Sequence, residues 1–217
     1  MLIKSVITQY NNCRTSGTNF FVMAYRHLLY RMKGKNIKCH QKVTISGVEN
    51  ITTNGVVSIG IDEVGFMLPS DKTFINVRGR IQFNGPYSIG RGCRIDIGPN
   101  GHVIIGSGGY VNALSTFIIL HRLVIGDRCA ISWNCQFLDD DFHQLNYEGK
   151  SEKGGRNDII IGDHVWIGSN VCVYKGSIIP GGCVVAANSV VRDSFDEENV
   201  LLAGNPARII KRNISWE

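Results

Sequence analysis

From Ile161 onward an aliphatic residue returns at every sixth position without a miss: Ile161, Ile167, Val173, Ile179, Val185 and Val191. The same spacing runs upstream through Ile125, Ile131 and Phe137, through Ile105, Val111 and Phe117, and through Ile89 and Ile95. A helix with about 3.6 residues per turn does not sustain a period of six, and neither does a strand alternating every two. A short fixed period defines a solenoid, and hexapeptide units define a parallel β-helix. Each unit forms one flat side of a triangular coil. Its aliphatic residue points inward and stacks on the equivalent residue one coil below.

A second position fixes the phase. Four residues after each aliphatic comes a small or modest side chain: Cys93, Gly109, Cys129, Cys135, Val165, Val171, Ser177, Cys183 and Ser189. A coil corner has little inward room, so size is the constraint. Glycine often follows the aliphatic directly (Gly90, Gly106, Gly126, Gly162, Gly168), where the backbone must turn sharply.

At 217 residues one domain is expected, with a smaller N-terminal piece. The spacing places a helical cap at 1–40, the β-helix at 41–212 and a tail at 213–217. The stretches KVTISGVENI, GVVSIG, FINVRGRIQF and YSIG read as irregular early coils, and 61–74 reads as a loop. Residues 19–35 (NFFVMAYRHLLYRMKGK) are dense in helix formers and mix apolar with basic side chains. This helix suits the open end of a solenoid. A basic amphipathic helix also suits an anionic membrane surface.

The net charge of +5 comes without any run of five like charges. Basic residues are not interleaved with aromatics, which argues against a nucleic-acid partner. Four of the seven cysteines occupy the small inward position, so they read as buried hydrophobes and not as bridges. The N-terminus has no apolar core of signal-peptide length, and no stretch of 18 apolar residues occurs. The expectation is a reducing cytoplasm, with the inner face of the membrane as a variant of it.

The most telling interruption is 138–158, LDDDFHQLNYEGKSEKGGRND. The beat positions inside it hold His143, Gly149 and Gly155, none of which fills an aliphatic slot. The chain must leave the coil, run out as a loop and re-enter at Ile159. Long loops on rigid scaffolds usually carry function.

The repeat, the extruded loop, the string HVWIGSN (164–170) and the ending AGNPARIIKR together resemble the hexapeptide-repeat acyltransferases. The resemblance covers roughly residues 85–212 and is nearest to the sugar and polysaccharide O-acetyltransferases. It implies a left-handed parallel β-helix, a homotrimer and acetyl-coenzyme A as co-substrate, with no metal. It implies that His143, at the root of the loop, is the general base. An acetyl thioester is already activated, so the enzyme needs only a group to take the proton from an attacking hydroxyl. Imidazole, titrating near neutrality, suits that task. Asp141 or Asp139 would orient the imidazole. Asn134 would bind the acceptor sugar, with Asp139 as a further substrate ligand.

The resemblance also puts Trp166 beside the thioester arm, with a backbone N–H of the Gly168–Ser169 turn as oxyanion donor. Pantetheine would pass Ala187 and Asn188. Arg192, Arg208 and Lys211 would hold the phosphates of coenzyme A.

An N-acetyltransferase acting on an amino-sugar nucleotide and a xenobiotic acetyltransferase use the same base and stay open. A γ-carbonic-anhydrase-type metal site needs two histidines five residues apart. The histidines here, at 27, 40, 102, 121, 143 and 164, provide no such pair.

Overall fold

The structure, a computed structural model, describes residues 2–62, 67–68, 70–143, 146–147, 150–151 and 157–217. Parts of the loops expected at 61–74 and 138–158 therefore lie outside the described residues.

The beat positions stack as the spacing requires, and the result is a left-handed parallel β-helix of three flat faces. Face one carries the in-register column Cys39, Ile59, Ile89, Val111, Ile131, Ile167, Val185 and Leu202. Face two carries Ile75, Ile95, Phe117, Phe137, Val173 and Val191. Face three carries Phe83, Ile105, Ile125, Ile161 and Ile179. All of these side chains are buried. Phe117 and Phe137 stack with ring centroids 4.5 Å apart and planes at 7°. Parallel ladders supply the backbone hydrogen bonds, so the column needs only apolar shape from its side chains.

Regular coils are three hexapeptides long: Trp166 sits directly above Val184 of the next coil. Ala130 pairs with Trp166, twice that length away in sequence, and the excess is the excursion after Leu138. Because the insertion is itself a multiple of six, the numerical beat survives it.

The corners behave as the second phased position predicts. Cys129 and Cys135 are buried, and their thiols donate to the carbonyls of Gly162 and Gly168 at 3.1 and 3.2 Å. Burial pushes both thiols up to about 11, so neither is a ready thiolate at neutral pH.

The N-terminal cap has two helices where the sequence pattern predicted one. Helix α1 is Leu2–Thr15 and helix α2 is Phe20–Met32. The weakly helix-forming Thr8, Asn11 and Asn12 hid α1 from periodicity. The Asn19 side chain caps α2 by accepting from the Val22 N–H at 3.1 Å. The β-helix itself starts at Ile37–Cys39, whose strand is in register with Val57–Ile59.

His40, beneath this cap, is fully buried. Its Nδ1 accepts from the Lys42 N–H at 3.1 Å. Burial first, then the charges of Arg91, Lys42 and Arg26, hold its pKa down to about 4, against a hydrogen bond to Gly17. A histidine whose folded pKa lies below its unfolded value favours folding while neutral. Its contribution is complete above about pH 6.5 and is lost as pH falls toward 4. The full difference is about 3 kcal/mol. Thermal melts should show stability dropping through that window, and His40→Asn, which keeps a side-chain acceptor, should flatten the drop. An unchanged pH slope in the variant contradicts this assignment.

Candidate active site

The chain leaves the coil after Gln136–Leu138, and three consecutive aspartates fix how it leaves. Asp139 is fully buried. Its Oδ1 accepts from the Leu120 N–H at 2.7 Å, and its Oδ2 accepts from the N–H groups of His121 and Arg122 at 2.8 and 2.9 Å. Burial raises its pKa despite the pull of these amides. The expectation that Asp139 binds substrate or orients the imidazole is therefore corrected: its carboxylate faces the chain's own amides and anchors the loop root.

Asp140 accepts at Oδ2 from His121 Nε2 at 2.7 Å and at Oδ1 from the Phe142 N–H at 2.6 Å. These two contacts, His121 first, hold its carboxyl below the usual range. The same Nε2 lies 3.0 Å from Asn157 Nδ2, just before the strand Ile159–Ile161 on which the chain re-enters, but it holds one proton, which goes to Asp140. Nothing in the periodicity marked His121 for this role.

The Asp140 turn leaves Phe142 in the left-handed region, at φ 60°, and projects His143 into solvent. His143 Nδ1 lies 3.4 Å from the carbonyl oxygen of Asp141. With the N–H on Nδ1, Nε2 carries the lone pair. The Asp141 carboxylate does not orient this ring. It pairs with Lys175 at 2.5 Å, one coil up. That part of the expectation is corrected too: only the main chain of Asp141 meets the imidazole.

The remaining predicted residues gather elsewhere. Asn134, Gly168, Ser169, Ala187 and Asn188 line the corner between faces one and two. Asn134 and Asn188 belong to a ladder: Asn134 Nδ2 donates to Asn170 Oδ1 at 2.9 Å, and Asn170 Nδ2 donates to Asn188 Oδ1 at 3.1 Å. All three asparagines have positive φ, between 56° and 61°, which this residue type tolerates best after glycine. The Gly168 N–H is already used, donating to Val185 O at 2.8 Å, so it cannot be the oxyanion donor. Among the described residues the Ser169 N–H has no such partner. A Cβ on Gly168 would meet the Ala187 nitrogen at 2.6 Å, which explains the glycine.

Trp166 stands outward on face one, 42% exposed, and its indole N–H donates to Ser132 Oγ at 3.3 Å. Above it, in register, come Val184, Leu201 and Lys211. Three strand steps of about 4.8 Å put Lys211 roughly 14 Å from Trp166. Arg208 lies on the same last strand, but its guanidinium already pairs with Asp193 at 2.6 Å. Arg192 is exposed at the corner between faces two and three, on the far side from the asparagine ladder. The tail returns to this column: Trp216 stacks on His164 at 4.1 Å and lies 6.1 Å from Trp166. Below Trp166 a groove of about 410 Å³ is lined by Asp62, Ser88, Tyr110, Asn112 and Trp133. Neither Trp216 nor this groove was visible in the repeat pattern.

His143 and the groove beside Trp166 thus occupy different corners of one chain. Face two separates them: the five residues from Asn134 to Asp139, at about 3.3 Å each, span roughly 16 Å. Proton transfer needs roughly 3 Å.

No profile of a known protein family matches the chain. Individual proteins do. It is 37% identical over 210 residues to an uncharacterised 24.8 kDa protein of the cps region of Klebsiella pneumoniae, covering 95% of this chain and 93% of that one. It is 30% identical over 148 residues to the protein assigned as lipopolysaccharide biosynthesis O-acetyl transferase WbbJ of Escherichia coli strain K12, covering 64% and 75%. Among solved structures, the polysialic acid O-acetyltransferase OatWY superposes with a TM-score of 0.60 at 26% identity, covering 83% of this chain and 90% of that one. Fold and sequence thus define an acyltransferase built on a left-handed β-helix. More narrowly, the chain belongs to the hexapeptide-repeat O-acetyltransferases.

Proposed function

We propose that the protein transfers the acetyl group of acetyl-coenzyme A to a sugar hydroxyl of a surface polysaccharide or its precursor, with His143 as general base. The observation that carries this reading is the solvent-facing imidazole held at the loop root, with Nδ1 toward the Asp141 carbonyl. Nε2 takes the proton of the attacking hydroxyl as its oxygen adds to the thioester carbon. The Ser169 N–H stabilises the oxyanion. The tetrahedral intermediate collapses with loss of the coenzyme A thiolate, which recovers the proton from the imidazolium. The products are an acetyl ester and free coenzyme A.

Pantetheine follows the column from Trp166 past Ala187 and Asn188, and Lys211 meets the phosphates with Arg208 once that side chain leaves Asp193. Arg192 joins them only if the phosphates extend toward its corner. The acceptor lies along the groove of Tyr110 and Trp133, whose rings suit stacking on sugar faces, and reaches Asn134 beside Trp133.

The separation of the two corners supports a homotrimer in which His143 of one subunit serves the groove of the next. A head-to-tail interface closes on itself after three copies. A cytoplasmic enzyme at the inner face of the membrane fits an acceptor that is still lipid-linked.

The test uses acetyl-labelled acetyl-coenzyme A with a panel of surface glycans and amino-sugar nucleotides. Label on a glycan that mild alkali removes is an ester and supports this reading. Alkali-stable label, an amide on an amino sugar, would replace it with N-acetylation.

A further inference from the structure

Helix α2 is apolar on both sides: Met23 is buried against Cys13 and Ile61, and Tyr30 packs on the solenoid core. The side turned to the solenoid also carries its polar anchors: Arg26 donates to the carbonyls of His40 and Val43 at 3.1 and 2.8 Å, and His27 Nδ1 meets the Ile37 carbonyl at 2.8 Å. The opposite side is apolar. Phe21, Tyr25, Leu28 and Met32 follow one another at helical spacing and are 77%, 64%, 59% and 70% exposed. Tyr10 of α1 extends the surface through edge contacts with Phe20, and Phe20 with Phe21, at 5.6 and 5.7 Å. Met23, Phe20 and Tyr30 already supply the inward apolar contacts of a cap, so the outward stripe is more than capping needs. Soluble surfaces rarely leave a contiguous apolar stripe of this kind uncovered.

Charge identifies what covers it. The first 48 residues contain eight Lys and Arg and no Asp or Glu, whereas the remaining 169 contain 15 basic against 18 acidic residues. The cationic excess of the protein therefore lies in its N-terminal part, with Arg31, Lys33 and Lys35 following the stripe at the C-terminal end of α2. A second copy of the same surface would bring like charge against like charge. An anionic bilayer offers the complement, phosphates for the cations and an acyl boundary for the stripe. No helix among the described residues is long and apolar enough to cross a membrane, so the contact is with the surface.

We infer that Phe21, Tyr25, Leu28 and Met32 form a docking stripe that inserts shallowly into an anionic lipid surface. This sharpens the membrane-proximal part of the proposed function but does not depend on acetyl transfer. The test is sedimentation of the full-length protein with vesicles of phosphatidylcholine containing about 30% phosphatidylglycerol, against pure phosphatidylcholine. Binding should occur only with the anionic vesicles, weaken with added salt, and fall about tenfold or more in Phe21→Ser/Leu28→Ser. That variant should keep its melting temperature and its activity on a soluble acceptor. Loss of vesicle binding with activity retained keeps the two readings separable. No binding to anionic vesicles, or equal binding to neutral ones, overturns the inference. So does concentration-dependent self-association that the double substitution abolishes, because the stripe would then be a contact between copies.

Discussion

His143→Ala should lower kcat by about 10² to 10⁴ while acetyl-coenzyme A binds within a few-fold of its normal affinity. The side chain is exposed, and its hydrogen bond among the described residues, to the Asp141 carbonyl, is a long 3.4 Å. Its removal therefore opens no cavity and should leave the melting temperature unchanged. The loop root does not depend on it: Asp139 and Asp140 are bound to the corner at residues 120–122 by bonds that do not involve His143. The loss must then appear in the chemical step, with kcat and kcat/KM falling together. Steady-state kinetics combined with calorimetric titration of acetyl-coenzyme A separate the two quantities. A variant that keeps more than about a tenth of kcat is too active for a lost general base.

The β-helix was legible in the sequence because its core is one-dimensional. Each beat residue from Ile89 to Val191 stacks on a beat residue of the neighbouring coil, so the six-residue spacing within the coils encoded the fold. The loop was legible by the failure of that period at His143, Gly149 and Gly155. Features at the corners were harder to read. Which of three neighbouring aspartates anchors and which is exposed depends on amides 17 to 19 residues earlier in the chain, and no spacing rule reports them. The same holds for His121, brought to Asp140 by the stacking of coils. The Gly168 N–H looked available because a turn glycine often presents one, whereas here the ladder consumes it. The two to three coils between Trp166 and the tail were legible, since counting coils amounts to counting strands and Lys211 stands three strands from Trp166. Trp216 was missed because a tail outside the repeat has no period to betray where it docks.

The central claim is that each site joins the His143 corner of one subunit to the Trp166–Asn188 corner of the next, and mixed trimers test it most directly. Two single variants are needed. His143→Ala removes the base. Ala187→Trp fills the groove at an exposed corner position without touching the base. Each variant alone should form trimers with almost no activity. Co-expressed in equal amounts, they assemble at random. A functional site needs an intact histidine on one subunit and an intact groove on its neighbour, each present about half the time across a heterologous interface. The mixture should therefore recover about a quarter of the normal specific activity. Wild type mixed with inactive double-variant chains serves as the reference for random assembly. If the mixed trimers form but remain as inactive as their parents, base and groove must belong to the same chain, and the shared site is wrong.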